Sequence, residues 1–200
     1  MPWWVALLRP IIPWLFRMKP MRGWLNSAGV TNEPNIIIRR PHDSTSEKHW
    51  IWWHVEVENL PRPFPLAIKT AERCLVDLKF IPFISGHHIE ERGRWATDTD
   101  EGEVETVDLR VGDRPQRIPI VLRSIIDVPQ WRYAPIEAEK IYATGVTFLH
   151  HRVGLPILPV NEYAVQITVH SGVLVWRTEF HLMIPVEGLR GFVLEEASHG

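Results

Sequence analysis

The chain has one cysteine, Cys74, in 200 residues. That excludes an intrachain disulfide and a multi-cysteine zinc site. No Asn-x-Ser/Thr acceptor occurs either. Both absences fit a reducing compartment. There is no excess of positive charge: 22 Lys and Arg stand against 24 Asp and Glu, a formal net charge of -2. A general nucleic-acid binder needs a basic surface to neutralise phosphates, so no nucleic-acid partner is expected. The chain has no Gly-x-Ser-x-Gly, no phosphate-cradling glycine loop and no His-Glu-x-x-His pattern. It also has no internal repeat and no low-complexity tract.

What the chain does have is aromatic and proline-rich. Ten tryptophans and 17 prolines accompany a 45% hydrophobic fraction. Proline is poorly tolerated in helix interiors and central strands. Its density favours many short strands joined by irregular loops.

Charge is unevenly placed. Residues 1–32 hold Arg9, Arg17, Lys19 and Arg22 and no acid. Trp3 to Phe16 is apolar apart from Arg9-Pro10 and is too short for a spanning helix, which takes about 20 apolar residues. Positive charge follows this run instead of preceding it, and no small-residue cleavage site is evident, which argues against a signal peptide. The segment reads as an interfacial arm, with Trp3, Trp4 and Trp14 at headgroup level and Arg17, Lys19 and Arg22 on anionic lipid. The alternatives are the tail of a longer hydrophobic span and a locally packed arm. Basic residues 17–22 would keep the following domain on the cytoplasmic side of a span. The expected organisation is an arm at 1–25, a linker at 26–34, a β-sandwich at 35–186 and a tail at 187–200 with one turn of helix.

The strand pattern is built around His49 to Asn59. Trp53, Val55 and Val57 share one face; Trp52, His54, Glu56 and Glu58 share the other. Across three prolines (Pro61, Pro63, Pro65), Ala71 to Ile81 alternates again, with Cys74, Val76, Leu78 and Phe80 in one row. A helix over Lys69 to Leu78 competes, but period two and Pro82 favour a strand. Further strands are expected at Asn35–Arg40, Glu103–Val111, Arg117–Ile126 and Ile141–His150. Glu162–His170 and Val173–Ile184 form a hairpin across Ser171-Gly172. Residues 82–102 and 127–139 read as loops. Seven or eight antiparallel strands separated by turn signals describe an all-β sandwich.

The series Val55, Val57 and Asn59, then Thr70-Ala71-Glu72 before Cys74, Val76 and Leu78, carries a resemblance. Val107 to Leu109 and Asn161-Glu162-Tyr163-Ala164-Val165 extend it. Over roughly residues 35–185 the order resembles immunoglobulin-like sandwiches of the CARDB and fibronectin-III-like group. In that group a V-x-V-x-N strand is answered by an A-x-x-x-V-x-L strand. The chain departs from it by insertions at 82–102 and 127–140 and by lacking a glycine before Tyr163. The resemblance implies a binding or spacer module without an active site.

Four candidates for chemistry follow. His87-His88 and His150-His151, with Glu90 and Glu91, offer ligand types suited to zinc, although neighbours on a strand point apart. A metal-dependent hydrolase using His87, His88, Glu90 and His150 or His151 is the enzyme alternative. Asp98 to Glu103 is acidic, but a helix-loop-helix calcium loop wants an acid where Leu109 stands. Cys74, in an apolar row, reads as an inert core thiol. The tryptophans read mostly as core, above all Trp53 and Trp176, while Trp95 and Trp131 join the candidates for a glycan- or peptide-stacking surface. Trp50, Trp52 and His54 are the residues the core leaves over and form the candidate contact surface. The expected function is a non-enzymatic β-sandwich interaction module, membrane-associated through its arm and without cofactor. The alternatives are the hydrolase and a surface adhesion domain binding glycans.

Overall fold

The computed structural model describes residues 33–39, 45–47, 50–61, 69–84, 86–96, 105–131, 134–136, 140–144, 156–159, 161–184 and 193–196. The expected arm at 1–25, most of the linker, and His150 and His151 lie outside them. The described residues hold no helix. They form β1 (Ile36–Arg39), β2 (Thr45–Glu47), β3 (Trp50–Asn59), β4 (Ala71–Pro82), β5 (Ile89–Arg92), β6 (Val107–Leu109) and β7 (Gln116–Ser124). After these come β8 (Val128–Trp131), β9 (Ala134–Ile136), β10 (Ile141–Ala143), β11 (Asn161–Ser171), β12 (Leu174–Ile184) and β13 (Val193–Glu196).

The protein is a β-sandwich. One sheet runs β1-β3-β7-β10, with β2 also on β3; the other runs β13-β12-β11-β4-β5, with β6 also on β4. All these strand pairs are antiparallel. The two long strands expected to answer each other, β3 and β4, belong to different sheets. They meet through the core: Val55 and Val57 from one side, Cys74, Val76, Leu78 and Phe80 from the other. β11 contributes Val165, Ile167 and Val169, and β12 contributes Phe180 and Leu182. Each fully buried side chain of this kind contributes about 1.5–3 kcal/mol.

Several short elements escaped the sequence pattern. Residues 82–102 contain β5, and 127–139 contain the β8–β9 ribbon. The tail was expected to lie outside the sandwich with a turn of helix. Instead it supplies β13, which pairs with β12 and places Leu194 in the core. Three or four residues are too few to display a period, so their strand state is set by the neighbour they pair with. The hairpin is as expected, with its turn one residue later: Ser171 pairs with Leu174, and Gly172-Val173 is the loop. Gly172 has φ +60°, and a glycine with positive φ at the first central position is what a type II′ turn requires.

Two bulges redirect side chains. In β4 the pairing with β6 steps from Ala71 opposite Leu109 to Cys74 opposite Val107, one residue too many. Arg73 absorbs it at φ +48°, and its N–H donates to Asp108 Oδ1 at 2.9 Å. Glu72 and Arg73 therefore both face water while Ala71 and Cys74 both face the core. In β7 the step from Trp53–Val121 to His54–Pro119 leaves Ile120 extra. A bulge is one of the few places where a sheet interior tolerates proline. It brings Ile118, Ile120 and Val121 into the core and turns Leu122 outward, level with Trp52 and Tyr142.

Asn59 locks one end of the sandwich. It is only 4% exposed. Its Nδ2 donates to the carbonyls of Lys69 and Leu109, each at 2.9 Å, and its Oδ1 accepts from the Asn35 N–H at 3.0 Å. One amide thus joins the start of β1 and the end of β3 to β6 and the approach to β4, across both sheets. Asn59→Ala should cost about 3 kcal/mol, because it deletes three bonds and strands buried backbone groups. Urea unfolding followed by tryptophan fluorescence measures this; a loss under about 1 kcal/mol would show the staple to be dispensable.

Candidate functional site

The outward face of the first sheet is where the residues left over by the core come together. Residues opposite each other in an antiparallel pair share a face, so Trp52, Leu122 and Tyr142 form one row across β3, β7 and β10. His54 and Pro119 form the next row, and Glu56 and Arg117 the one after. Period two puts Trp52 and His54 side by side, as expected. Their rings lie 6.4 Å apart at 29°. Arg117 Nε stands 3.6 Å from Glu56 Oε1.

Arg94 completes the group. Its Cζ sits 5.2 Å from the centroid of the Trp52 ring, within the range of a cation–π attraction. The segment 93–96 that carries it straps the two sheets together. The Gly93 N–H donates to the Val76 carbonyl and the Trp95 Nε1–H to the Cys74 carbonyl, both at 2.9 Å, while the Ala96 N–H donates to the Arg117 carbonyl at 2.7 Å. Gly93 is needed there because a Cβ would come within 2.6 Å of Val76 Cγ1. Trp95 is driven inward and is 1% exposed, which corrects its place among the candidates for a stacking surface. Alternation along the strap then sends Arg94 the other way, over the face.

His54 is corrected as well. It is 9% exposed and belongs beneath the surface. Burial, reinforced by Arg117 and then Arg94, lowers its pKa from 6.5 to about 4. It is therefore a neutral imidazole at neutral pH, stacked beside Trp52. Leu122 is fully buried and Tyr142 is 3% exposed, so the row beside Trp52 is apolar and covered. What remains for contact is the half-buried Trp52 with the Arg94 guanidinium against it. The backbone of Trp50 lies in β3 opposite Glu47 and Ser124; its side chain lies outside the described set. Trp53 and Trp176 pack against the core as expected.

The other candidates are placed as follows. His87 and His88 are exposed in the loop before β5. His88 Nε2 lies 3.3 Å from Glu90 Oε1, the same oxygen that takes Lys79 Nζ. That ammonium holds the Glu90 carboxyl below its usual range. Glu91 is half-buried opposite the core residue Leu78 and does not converge with them. Among the described residues no group of three or more His, Cys, Asp or Glu is arranged to hold a metal ion. Cys74 is fully buried, and burial pushes its thiol up to about 11, which fits the inert core reading. The acidic stretch Asp98–Glu103 and the arm residues Trp3, Trp4, Trp14, Arg17, Lys19 and Arg22 lie outside the described residues, as do His150 and His151. Among the described residues no helix is long and apolar enough to cross a membrane.

Sequence reasoning missed Arg94 and Arg117. The available signal was Gly93 two residues before Trp95, the mark of a close backbone approach beside a large buried side chain. The polar composition of residues 82–102 hides it.

His54 makes stability pH-dependent. Its folded pKa lies below its unfolded value, so between about 6.5 and about 4 the unfolded chain binds a proton that the folded chain refuses. Stability therefore falls as pH drops through that window. From pH 7 to pH 4.5 the loss from this one group is about 2 kcal/mol. Urea unfolding at the two pH values should show His54→Gln losing that much less than the natural chain; equal losses would place the titration elsewhere. No family model matches the chain, and neither a curated protein nor a solved structure does.

Proposed function

We propose that the protein is a non-enzymatic binding module, an immunoglobulin-like sandwich held on the cytoplasmic face of a membrane by its N-terminal arm. The observation that carries the binding part is the Trp52–Arg94 pair on the outward face of β3. Tryptophan and arginine are the residues most enriched at the energetic centres of protein interfaces. Here both are held in place before any partner arrives. His54 and the Leu122–Tyr142 row flank the ring, and the strap orients the guanidinium. A platform ordered in advance loses little side-chain entropy on binding.

The immunoglobulin-like reading is supported by the two-sheet arrangement and by the role of Asn59, the last residue of the V-x-V-x-N series. The membrane part is supported by the acid-free, tryptophan-rich composition of residues 1–25.

Two experiments test the proposal. Affinity capture with the full chain and with Trp52→Ala should yield a protein recovered at least about tenfold less with the variant, at a temperature where both chains remain folded by circular dichroism. Equal recovery of every captured protein would rule out this face. In flotation with phosphatidylcholine–phosphatidylserine vesicles, the full chain should float and a chain lacking residues 1–25 should not. If both stay in the soluble fraction, the membrane part is wrong.

A further inference from the structure

An arm that held the protein at a membrane would bring one end of the sandwich toward the bilayer. The first described residues, Glu33 to Asn35, enter at the Asn59 end, where the Asn35 N–H is tied to Asn59. Asn59 is tied in turn to Lys69 and Leu109. Leu109 pairs with Ala71, and the Glu72 carbonyl accepts from Ser171 Oγ at 2.8 Å. Ser171 is the last residue of β11 before the Gly172-Val173 turn. Residue 33, the first described, therefore lies at the end of the sandwich where the β11–β12 hairpin projects.

That hairpin ends in an apolar residue where polar ones are usual. Val173 is 96% exposed, the highest exposure among the large hydrophobic residues described, and Val175 beside it is 54% exposed. The side chain of Val173 serves neither the core nor the turn, whose positive φ belongs to Gly172. The fixed charges at this end are mixed, with Lys69, Arg73 and Arg110 among Glu72, Asp108 and Asp113. Attraction to anionic lipid must then come from Arg17, Lys19 and Arg22, and the hairpin offers apolar surface alone.

We infer that the Gly172-Val173 hairpin tip is a second lipid contact, dipping Val173 into the headgroup–acyl boundary beside the N-terminal arm. This rests on the membrane reading above. The other end of the sandwich also carries exposed apolar residues, Phe83, Ile84, Ile125 and Ile126. It is held away from the bilayer: from the first to the last of the 12 residues of β4 the two ends are separated by roughly 36 Å, at about 3.3 Å per step. An interfacial element sinks only about 5–10 Å. In this orientation the far end of the sandwich is left open to a partner.

The test uses the full chain and two vesicle compositions, pure phosphatidylcholine and a mixture with phosphatidylserine. Val173→Asp combined with Val175→Asp should lower vesicle partitioning about tenfold in both, because the lost contribution is apolar. Replacing Arg17, Lys19 and Arg22 with Gln should lower it only with phosphatidylserine. Phe83→Asp with Ile84→Asp should leave partitioning unchanged. As a second readout, Val173→Cys carrying an environment-sensitive fluorophore should blue-shift on vesicle addition, and the same probe at Phe83→Cys should not. Cys74 is fully buried and stays unlabelled.

If the natural chain floats through its arm but the tip variant floats equally well and the Val173 probe does not shift, this inference is overturned and the membrane reading stands. A shift at the Phe83 position alone reverses the orientation and also overturns it. If the natural chain fails to float at all, both readings fall.

Discussion

The sandwich depends on the carboxamide of Asn59. A two-sheet core attracts its layers together through apolar burial, but burial is non-directional and does not set where the sheets are clamped. The Asn59 amide does, because three directional bonds to three backbone segments are satisfied at one buried point. It sits where the chain leaves the first sheet, approaches the second and first enters the fold. A buried polar group with all its partners gives specificity; the same group half-satisfied would be a defect. The same residue therefore makes the entry point of the chain, and with it the end that bears the hairpin tip, a defined place.

The outward face owes its character to irregularities in both sheets. Without the bulge at Ile120, period two would carry Leu122 into the core and a different residue to the row beside Trp52. Without Gly93 the strap could not lie against Val76, and Trp95 would lose its seat. Arg94 is over Trp52 only because Trp95 is under it. The result is a guanidinium and an indole on a base of apolar and neutral groups. His54 keeps that base uncharged: a proton there would put a third positive charge beside Arg94 and Arg117. The opposite sheet presents a different outer surface. Asp77 receives Arg92 and His170 at 2.8 Å each, and Gln166 donates to Glu179. Its Asp77–Arg92 pair is half-exposed to water, where such pairs contribute little to stability. The two outer faces thus differ in kind, one an aromatic and guanidinium platform, the other a solvated ladder.

What was legible in the sequence follows from how far each signal reaches. The alternation of β3, β4, β11 and β12 is written within each strand, and so are the inward rows that form the core. The side-by-side placement of Trp52 and His54 follows from period two, and the burial of Cys74 from its apolar row. Trp53 and Trp176 likewise stand where a half-buried strand would put them. The hairpin was legible to within a residue, because a glycine turn announces itself locally.

Other features belong to the tertiary structure alone. The sequence could not say that β3 and β4 lie in different sheets, since alternation tells which face is apolar but not which strand supplies the hydrogen bonds. It could not say that the tail would become β13, because a short strand exists only by pairing with its neighbour. Nor could it say that His54 is covered or that Arg94 crosses to Trp52, because both depend on segments brought together from elsewhere in the chain. The sequence by itself determined the strands and the faces they hide, because side-chain period is a local property of the backbone. Only the tertiary structure decided partners, bulges and exposure, because these are set by contacts between residues far apart in the chain.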